Sequence, residues 1–256
     1  MTLRQHLAAG GQRAAAVTSE AAKSAASAAA RRVALALLGG GLALSAQALT
    51  PAELFAQVSP SVWRVQTLDA DGLITGQGSA VVVGLGQLVT NCHVLARARR
   101  VQVRADGQPK ALPARLTLWD VQRDLCQLEA SGLKAQPVVL GSASAVAVGQ
   151  PAYAIGHPKG LDLTLSAGLV SSRRLNNAGQ LVLLQTSAAI SGGSSGGGLF
   201  NEHGELLGLT TIASVTPDAQ NLNFAIPADW IRDLPRRHAA ARAAEQATRA
   251  TPAASR

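Results

Sequence analysis

The chain has 256 residues, of which 47% are hydrophobic, 15% charged and only 3% aromatic, and it carries a formal net charge of +8. The charge lies at the two ends: residues 1–32 hold five Lys/Arg against one Asp/Glu, residues 231–256 hold six against two, and the stretch between is balanced at twelve each. A balanced middle without interleaved basic and aromatic residues excludes a nucleic-acid surface there, and small aliphatic side chains must fill whatever core forms.

Residues 1–30 form an Ala-rich leader, longer than a signal peptide usually has. Arg31 and Arg32 then precede an apolar run from Val33 to Leu44, followed by the small-residue site Ser45-Ala46-Gln47-Ala48. That order of basic, apolar and small residues is a signal peptide with cleavage predicted after Ala48. The apolar run is twelve residues, interrupted by Gly39 to Gly41, and is too short to span a bilayer. Membrane contact is therefore expected only during export, and the mature chain, Leu49 onward, is expected in the periplasm or outside the cell.

From residue 49 to residue 235 the sequence alternates short apolar runs with glycine-containing turns, as in Ser79–Gly84 and Gly168–Ser171. This reads as an all-β domain with room for two small barrels, over roughly 61–134 and 137–227. Gln87–Cys92 is a strand that runs into a polar turn at His93, and Asp124 opens another strand ending at Leu128. Taken singly, His93 is a surface or capping residue and Asp124 a turn residue. His157, between Gly156 and Pro158, reads as a turn residue as well.

The most informative stretch follows. Five of the seven residues from Gly192 to Gly198 are glycine, and they surround Ser195. Glycine permits positive φ and close backbone approach, so the N–H groups of Gly193 and Ser195 can converge on one point, a candidate oxyanion hole. A flexible linker is equally rich in Gly and Ser. The flanks argue against one: Leu181–Thr186 is a strand leading in and Leu206–Ile212 a strand leading out, with Glu202–Glu205 as a turn. A serine nucleophile needs a base and an orienting acid, and His93 and Asp124 supply both, in the chain order His, Asp, Ser of chymotrypsin-type triads.

On these residues the chain resembles the HtrA (DegP-type) family of chymotrypsin-fold serine proteases. Five blocks carry the resemblance, in the family's order between about residues 52 and 230: Leu54–Val62, Thr90–Val94, Asp124-Leu125, Ala154–Gly160, and Gln185–Leu199 continued by Asn223–Pro227. It implies two six-stranded antiparallel β-barrels with the site in the cleft between them. It further implies that Ser195 is the nucleophile, His93 the base, Asp124 the orienting acid, and Gly193 and Ser195 the oxyanion donors, with no metal or organic cofactor. Substrates would be polypeptides, unfolded ones in particular, and the family resemblance implies a homotrimer through the segment around Phe55 and Trp63. A catalytically silent scaffold of the same fold is the other reading, though it has no chemical need for all three triad residues.

If His93 and Asp124 are hydrogen-bonded, their neighbours Cys92 and Cys126 are brought together, and export favours a Cys92–Cys126 disulfide over two buried thiols. The pocket for the residue before the scissile bond is expected at Ala189, Ile190, Thr211 and Ala213; none is acidic, so small or aliphatic side chains are the expected fit. The chain departs from the family pattern at Ser187, where relatives usually carry Asp, at Ser194, where Asn is usual, and at Gly198, where Pro or Ala is common. The added glycine raises the entropy lost on ordering and predicts an oxyanion hole that is mobile at rest. Only about 26 residues follow Trp230, too few for the PDZ domains many relatives carry. Ala228–Leu234 is expected to form a short helix limited by Pro235, and residues 236–256 a basic tail that is disordered or weakly helical.

Overall fold

A computed structural model describes residues 48–211 and 222–250. The leader and signal peptide read from residues 1–48, save Ala48 itself, lie outside the described part, as do the pocket residue Ala213 and the last six residues.

Twelve strands close into two antiparallel barrels of six. The first comprises β1 (Val62–Leu68), β2 (Ile74–Gly84), β3 (Gln87–Thr90), β4 (Arg100–Arg104), β5 (Leu112–Asp120) and β6 (Leu125–Glu129), in the order β1-β2-β3-β6-β5-β4. The second comprises β7 (Pro151–Gly156), β8 (Thr164–Leu175), β9 (Leu181–Thr186), β10 (Gly198–Phe200), β11 (Leu206–Thr211) and β12 (Asn223–Pro227), in the order β10-β11-β12-β9-β8-β7. This is the all-β, double-barrel architecture that the resemblance implies.

The apolar runs are continuous because successive side chains feed different cores. In β2, Ala80 and Val82 point into the first barrel with Val65, Leu88, Val103 and Leu128, whereas Val81 joins Val89, Leu125, Ile155, Phe200, Leu209 and Ile226 between the barrels. The second barrel closes on Ala152, Ala154, Val170, Leu184, Leu199, Leu207 and Ala225. Alanine, valine and leucine fill these interiors, in keeping with the scarcity of aromatics.

Helix α1 (Pro51–Val58) opens on a capping box: the Glu53 amide donates to Thr50 Oγ1, and the Thr50 amide donates to the Glu53 carboxylate at 2.9 Å. Its buried Leu54 and Val58 join the inter-barrel core.

The C-terminal segment departs from expectation. Asp229–Ala250 form a single helix, α2, which continues through Pro235 where a limit was expected, and of the two readings of the tail the helical one holds up to residue 250. Proline removes one backbone donor, but the helix is held from outside. Ile231 and Leu234 are buried in the inter-barrel core, and Arg232 donates to the Leu140 carbonyl at 2.7 Å. Asp233 accepts from Arg123 at 3.0 Å and from Arg236, Arg237 pairs with Asp120, and His238 packs edge-on against Trp119 with centroids 4.1 Å apart. The anchors at Asp233, Arg237 and His238 are polar and aromatic, with partners from the β5–β6 region, and the alanines beyond them are the best helix formers.

Candidate active site

Strand β3 ends at Thr90, and a one-turn 3-10 helix, Cys92–Leu95, carries His93. Asp124 lies across from it, after the Val121–Arg123 turn, whose N-terminus is capped by Asp120. Asp124 adopts φ +53°, a left-handed conformation that Asp tolerates better than most non-glycine residues. From there its carbonyl accepts from the Cys92 amide at 3.2 Å and from Asn91 Nδ2 at 3.0 Å.

The Asp124 carboxylate takes both the backbone and the ring of His93. Oδ1 accepts from the His93 amide at 2.9 Å, and Oδ2 lies 2.7 Å from Nδ1. With the Nδ1 proton directed at the carboxylate, Nε2 retains its lone pair and can act as a base. The imidazole side chain is 46% exposed, while Ser195 is buried at 3%. Among the described residues the Ser195 hydroxyl makes no hydrogen bond to His93, a looseness common in unliganded sites.

Directly behind this pair, Cys92 and Cys126 form a disulfide with Cα atoms 5.0 Å apart. Thr90 faces Cys126 in the β3–β6 ladder, so the bridge ties the strand leading to the histidine to the strand leaving the aspartate. The expected pairing is therefore present, and no cysteine is free.

The turn holding Ser195 is pinned through its carbonyls. Gly192 O accepts from the Lys159 amide at 2.5 Å, Gly193 O from Ser79 Oγ at 2.9 Å, Ser194 O from Thr210 Oγ1 at 2.6 Å, and Ser195 O from the Ser79 amide at 2.8 Å. In a trans peptide C=O and N–H point in opposite directions, so each bond also aims the amide on the far side of its plane. The amides of Ser194, Gly196 and Gly197 are spent within the fold, on Ser191 O, Thr210 O and Ser194 O. Those of Gly193 and Ser195 have no acceptor among the described residues.

The glycines of this turn are required by close contact. Gly193 has φ +91°, with the His157 carbonyl 2.6 Å from where a Cβ would stand, and a Cβ on Gly196 would run into Ser79 O and Thr90 Oγ1. The glycines let the turn lie flat against β2 and the loop after β7.

The expected pocket residues divide. Ala189 is exposed and its amide donates to Ser166 Oγ at 2.8 Å, while Ile190, half-buried against the second barrel, donates its amide to Asn223 Oδ1 at 3.2 Å. Thr211 turns its hydroxyl toward Asp124 Oδ2, at 3.4 Å, so its side chain also supports the acid. The strand register decides this: β11 is buried along its whole length and presents Thr211 to the first barrel.

Sequence reading missed Ser79, Thr90, Lys159, Thr210 and Asp106, whose roles come from tertiary approach. It also took His157 for a turn residue. It does begin a turn, but it is 1% exposed and lies with Nε2 3.1 Å from Asp106 Oδ1. Burial lowers its pKa, and the Asp106 charge offsets part of that shift.

Residues 78–209 match the family described as trypsin-like peptidase domain. The chain is 32% identical over 212 residues to protease Do-like 5, chloroplastic, of Arabidopsis thaliana, covering 70% of this chain and 66% of that one. It is 34% identical over 166 residues to the periplasmic serine endoprotease DegP of Salmonella typhimurium, covering 62% and 34%. Among solved structures, the HtrA-type protease AlgW with a tripeptide superposes with a TM-score of 0.63 at 30% identity, over 71% of this chain and 60% of that one. The serine endoprotease from Yersinia pestis gives 0.62 at 27% identity, over 72% and 64%. The chain thus spans 66% and 34% of the length of the two curated relatives.

Proposed function

The chain belongs to the trypsin-like peptidase family, alongside HtrA and DegP proteases, and we propose that it is a serine endopeptidase that works after export on polypeptide substrates. The observation carrying this reading is the Asp124 carboxylate, which takes both the amide and the ring of His93, while the two amides beside Ser195 are left without acceptors among the described residues.

In this reading Ser195 Oγ attacks the peptide carbonyl and His93 Nε2 takes its proton, later passing it to the leaving amine. Asp124 keeps the imidazole in the right tautomer and balances its charge when protonated. The Gly193 and Ser195 amides stabilise the tetrahedral oxyanion, each contributing about 3–4 kcal/mol in such sites. The Ser195–His93 bond forms when substrate fills the cleft. Ala189 and Ile190 bring no carboxylate to the substrate pocket, so small or aliphatic residues precede the scissile bond, and unfolded chains are the substrate class.

The signal-peptide pattern ahead of Leu49 and the Cys92–Cys126 bridge both support an oxidising location, periplasmic or extracellular. A homotrimer through the Phe55 segment is part of the same proposal. Trp63 is already 6% exposed within its own barrel, so Phe55 and its neighbours on α1 would carry that contact.

The test is the intact mass of the purified protein with and without a fluorophosphonate, beside Ser195→Ala. One adduct that disappears in the variant is the expected result. No adduct, with peptide substrates present as activators, would turn the reading toward a silent protease-fold scaffold.

A further inference from the structure

Ser79, in β2 of the first barrel, touches the nucleophile turn twice. Its amide donates to Ser195 O at 2.8 Å and its hydroxyl to Gly193 O at 2.9 Å. The direction of the hydroxyl bond is fixed by chemistry. The His157 amide, 2.9 Å from Ser79 Oγ, can only donate, so Oγ accepts there and its single proton goes to Gly193. Thr90 Oγ1 holds the Ser79 carbonyl at 2.7 Å, which completes the residue's hydrogen bonding at zero exposure.

The loop after β7 is held to the first barrel in its turn. His157 Nε2 lies 3.1 Å from Asp106 Oδ1, and Asp106 Oδ2 accepts from the Leu163 amide at 2.5 Å. Arg64 donates to the Leu161 carbonyl at 3.0 Å and lies 3.5 Å from Asp106. With His157 Nδ1 buried and unpartnered, the neutral ring with its proton on Nε2 satisfies Asp106, and burial favours that neutral form. Lys159, in the same loop, holds Gly192 O. The peptides on both sides of Gly193 are therefore oriented by groups that the first barrel fixes, Ser79 directly and Lys159 through the Asp106–His157 pair.

We propose that Ser79 is a positioning residue for the oxyanion turn, and that the pair of buried His157 with Asp106 supports it by fixing the loop whose amides bond Ser79 Oγ and Gly192 O. The proposal rests on the endopeptidase reading. Neither residue touches substrate. Ser79 acts by fixing the Gly193–Ser194 peptide, which joins the two peptides whose amides, those of Gly193 and Ser195, face the developing oxyanion; the Gly192 carbonyl behind the Gly193 amide is held by Lys159.

The experiment compares wild type, Ser79→Ala and Asp106→Asn in three measurements: kcat and KM on a peptide substrate, inhibition by a peptide aldehyde whose hemiacetal oxygen needs the hole, and hydrogen exchange of the 192–197 amides. For Ser79→Ala the expected result is a fall in kcat of about 10–100-fold with KM within about twofold, a matching loss of aldehyde affinity, and faster exchange of the turn. Asp106→Asn, at the far and partly exposed end, should show the same pattern with a smaller kcat loss, and it carries the test if Ser79→Ala fails to fold. A kcat within about threefold of wild type in both variants, or a loss confined to KM, overturns the proposal. If wild type takes no fluorophosphonate, the endopeptidase reading fails separately. Exchange that is unchanged in both variants then overturns the positioning role on its own.

Discussion

Removing the Cys92–Cys126 bridge separates its effect on stability from its effect on the site. The two cysteines are 34 residues apart in sequence. In the chain-entropy account, releasing a closed loop of that length returns about 13 cal/mol/K to the unfolded ensemble, which costs the fold about 4 kcal/mol at 25 °C. For a domain of this size that lowers Tm by about 8–15 °C. The site itself should survive, because the Asp124 contacts with the Cys92 amide, Asn91 Nδ2 and the His93 amide do not use sulfur. Urea unfolding of Cys92→Ala/Cys126→Ala, beside wild type reduced by a phosphine, should show a loss of about 4 kcal/mol in both, with a lower midpoint and a steeper slope from the expanded unfolded chain. At 25 °C the folded variant should keep kcat within about tenfold of wild type. The reduced wild type removes the covalent constraint without deleting atoms, so cavity effects at the buried Cys126 do not enter its result. An unchanged midpoint in the reduced protein would refute the loop-entropy argument, and a kcat loss of about a thousandfold in a fully folded variant would refute the claim that backbone contacts alone align the pair.

Three other outcomes are expected. Asp120→Asn and Arg237→Gln, singly and together, should show a coupling of about 1–3 kcal/mol in urea unfolding, because the pair docks α2 on the turn that leads to Asp124; additivity would mean the contact is incidental. His157, held below its ordinary 6.5 by burial, takes up a proton on unfolding between its folded value and 6.5, so its contribution is complete above 6.5 and stability falls as pH drops through that window. His157→Asn should flatten this slope between pH of about 7.5 and 5.5, and an identical slope would show that other groups cause it. Ile190→Asp should raise kcat/KM for substrates with Lys or Arg before the scissile bond relative to Ala by about tenfold or more, whereas an unchanged preference would remove Ile190 from the pocket.

The linear sequence displayed what local chemistry encodes. The strand-turn pattern yields both barrels, glycine around Ser195 marks the sharp turn, and the order of His93, Asp124 and Ser195 marks the triad candidates. The Cys92–Cys126 pairing was legible because each cysteine neighbours a residue with its own reason to approach the other. Three features were hidden. Helix α2 has few large apolar residues, and its anchors at Asp120, Arg123 and Trp119 lie more than a hundred residues earlier, so composition left disorder and weak helix both open. Thr211 sits where a pocket residue was expected, yet the β11 register turns it toward Asp124. The same turn glycines that suggest mobility are required by close contact with Ser79, Thr90 and the His157 carbonyl, none of them near in sequence.

By itself, then, the sequence determined the fold class, the chemical types available at the site and the pairing of its cysteines, because apolar periodicity, glycine's freedom and short-range adjacency are properties of neighbouring residues. Only the tertiary structure decided which way the peptides around Ser195 face. Their orientation depends on hydrogen bonds from Ser79, Lys159 and Thr210, groups brought to the turn by two barrels closing against each other. A peptide plane can turn without any change in the sequence that contains it, and what holds it is the partner that the fold places opposite its carbonyl.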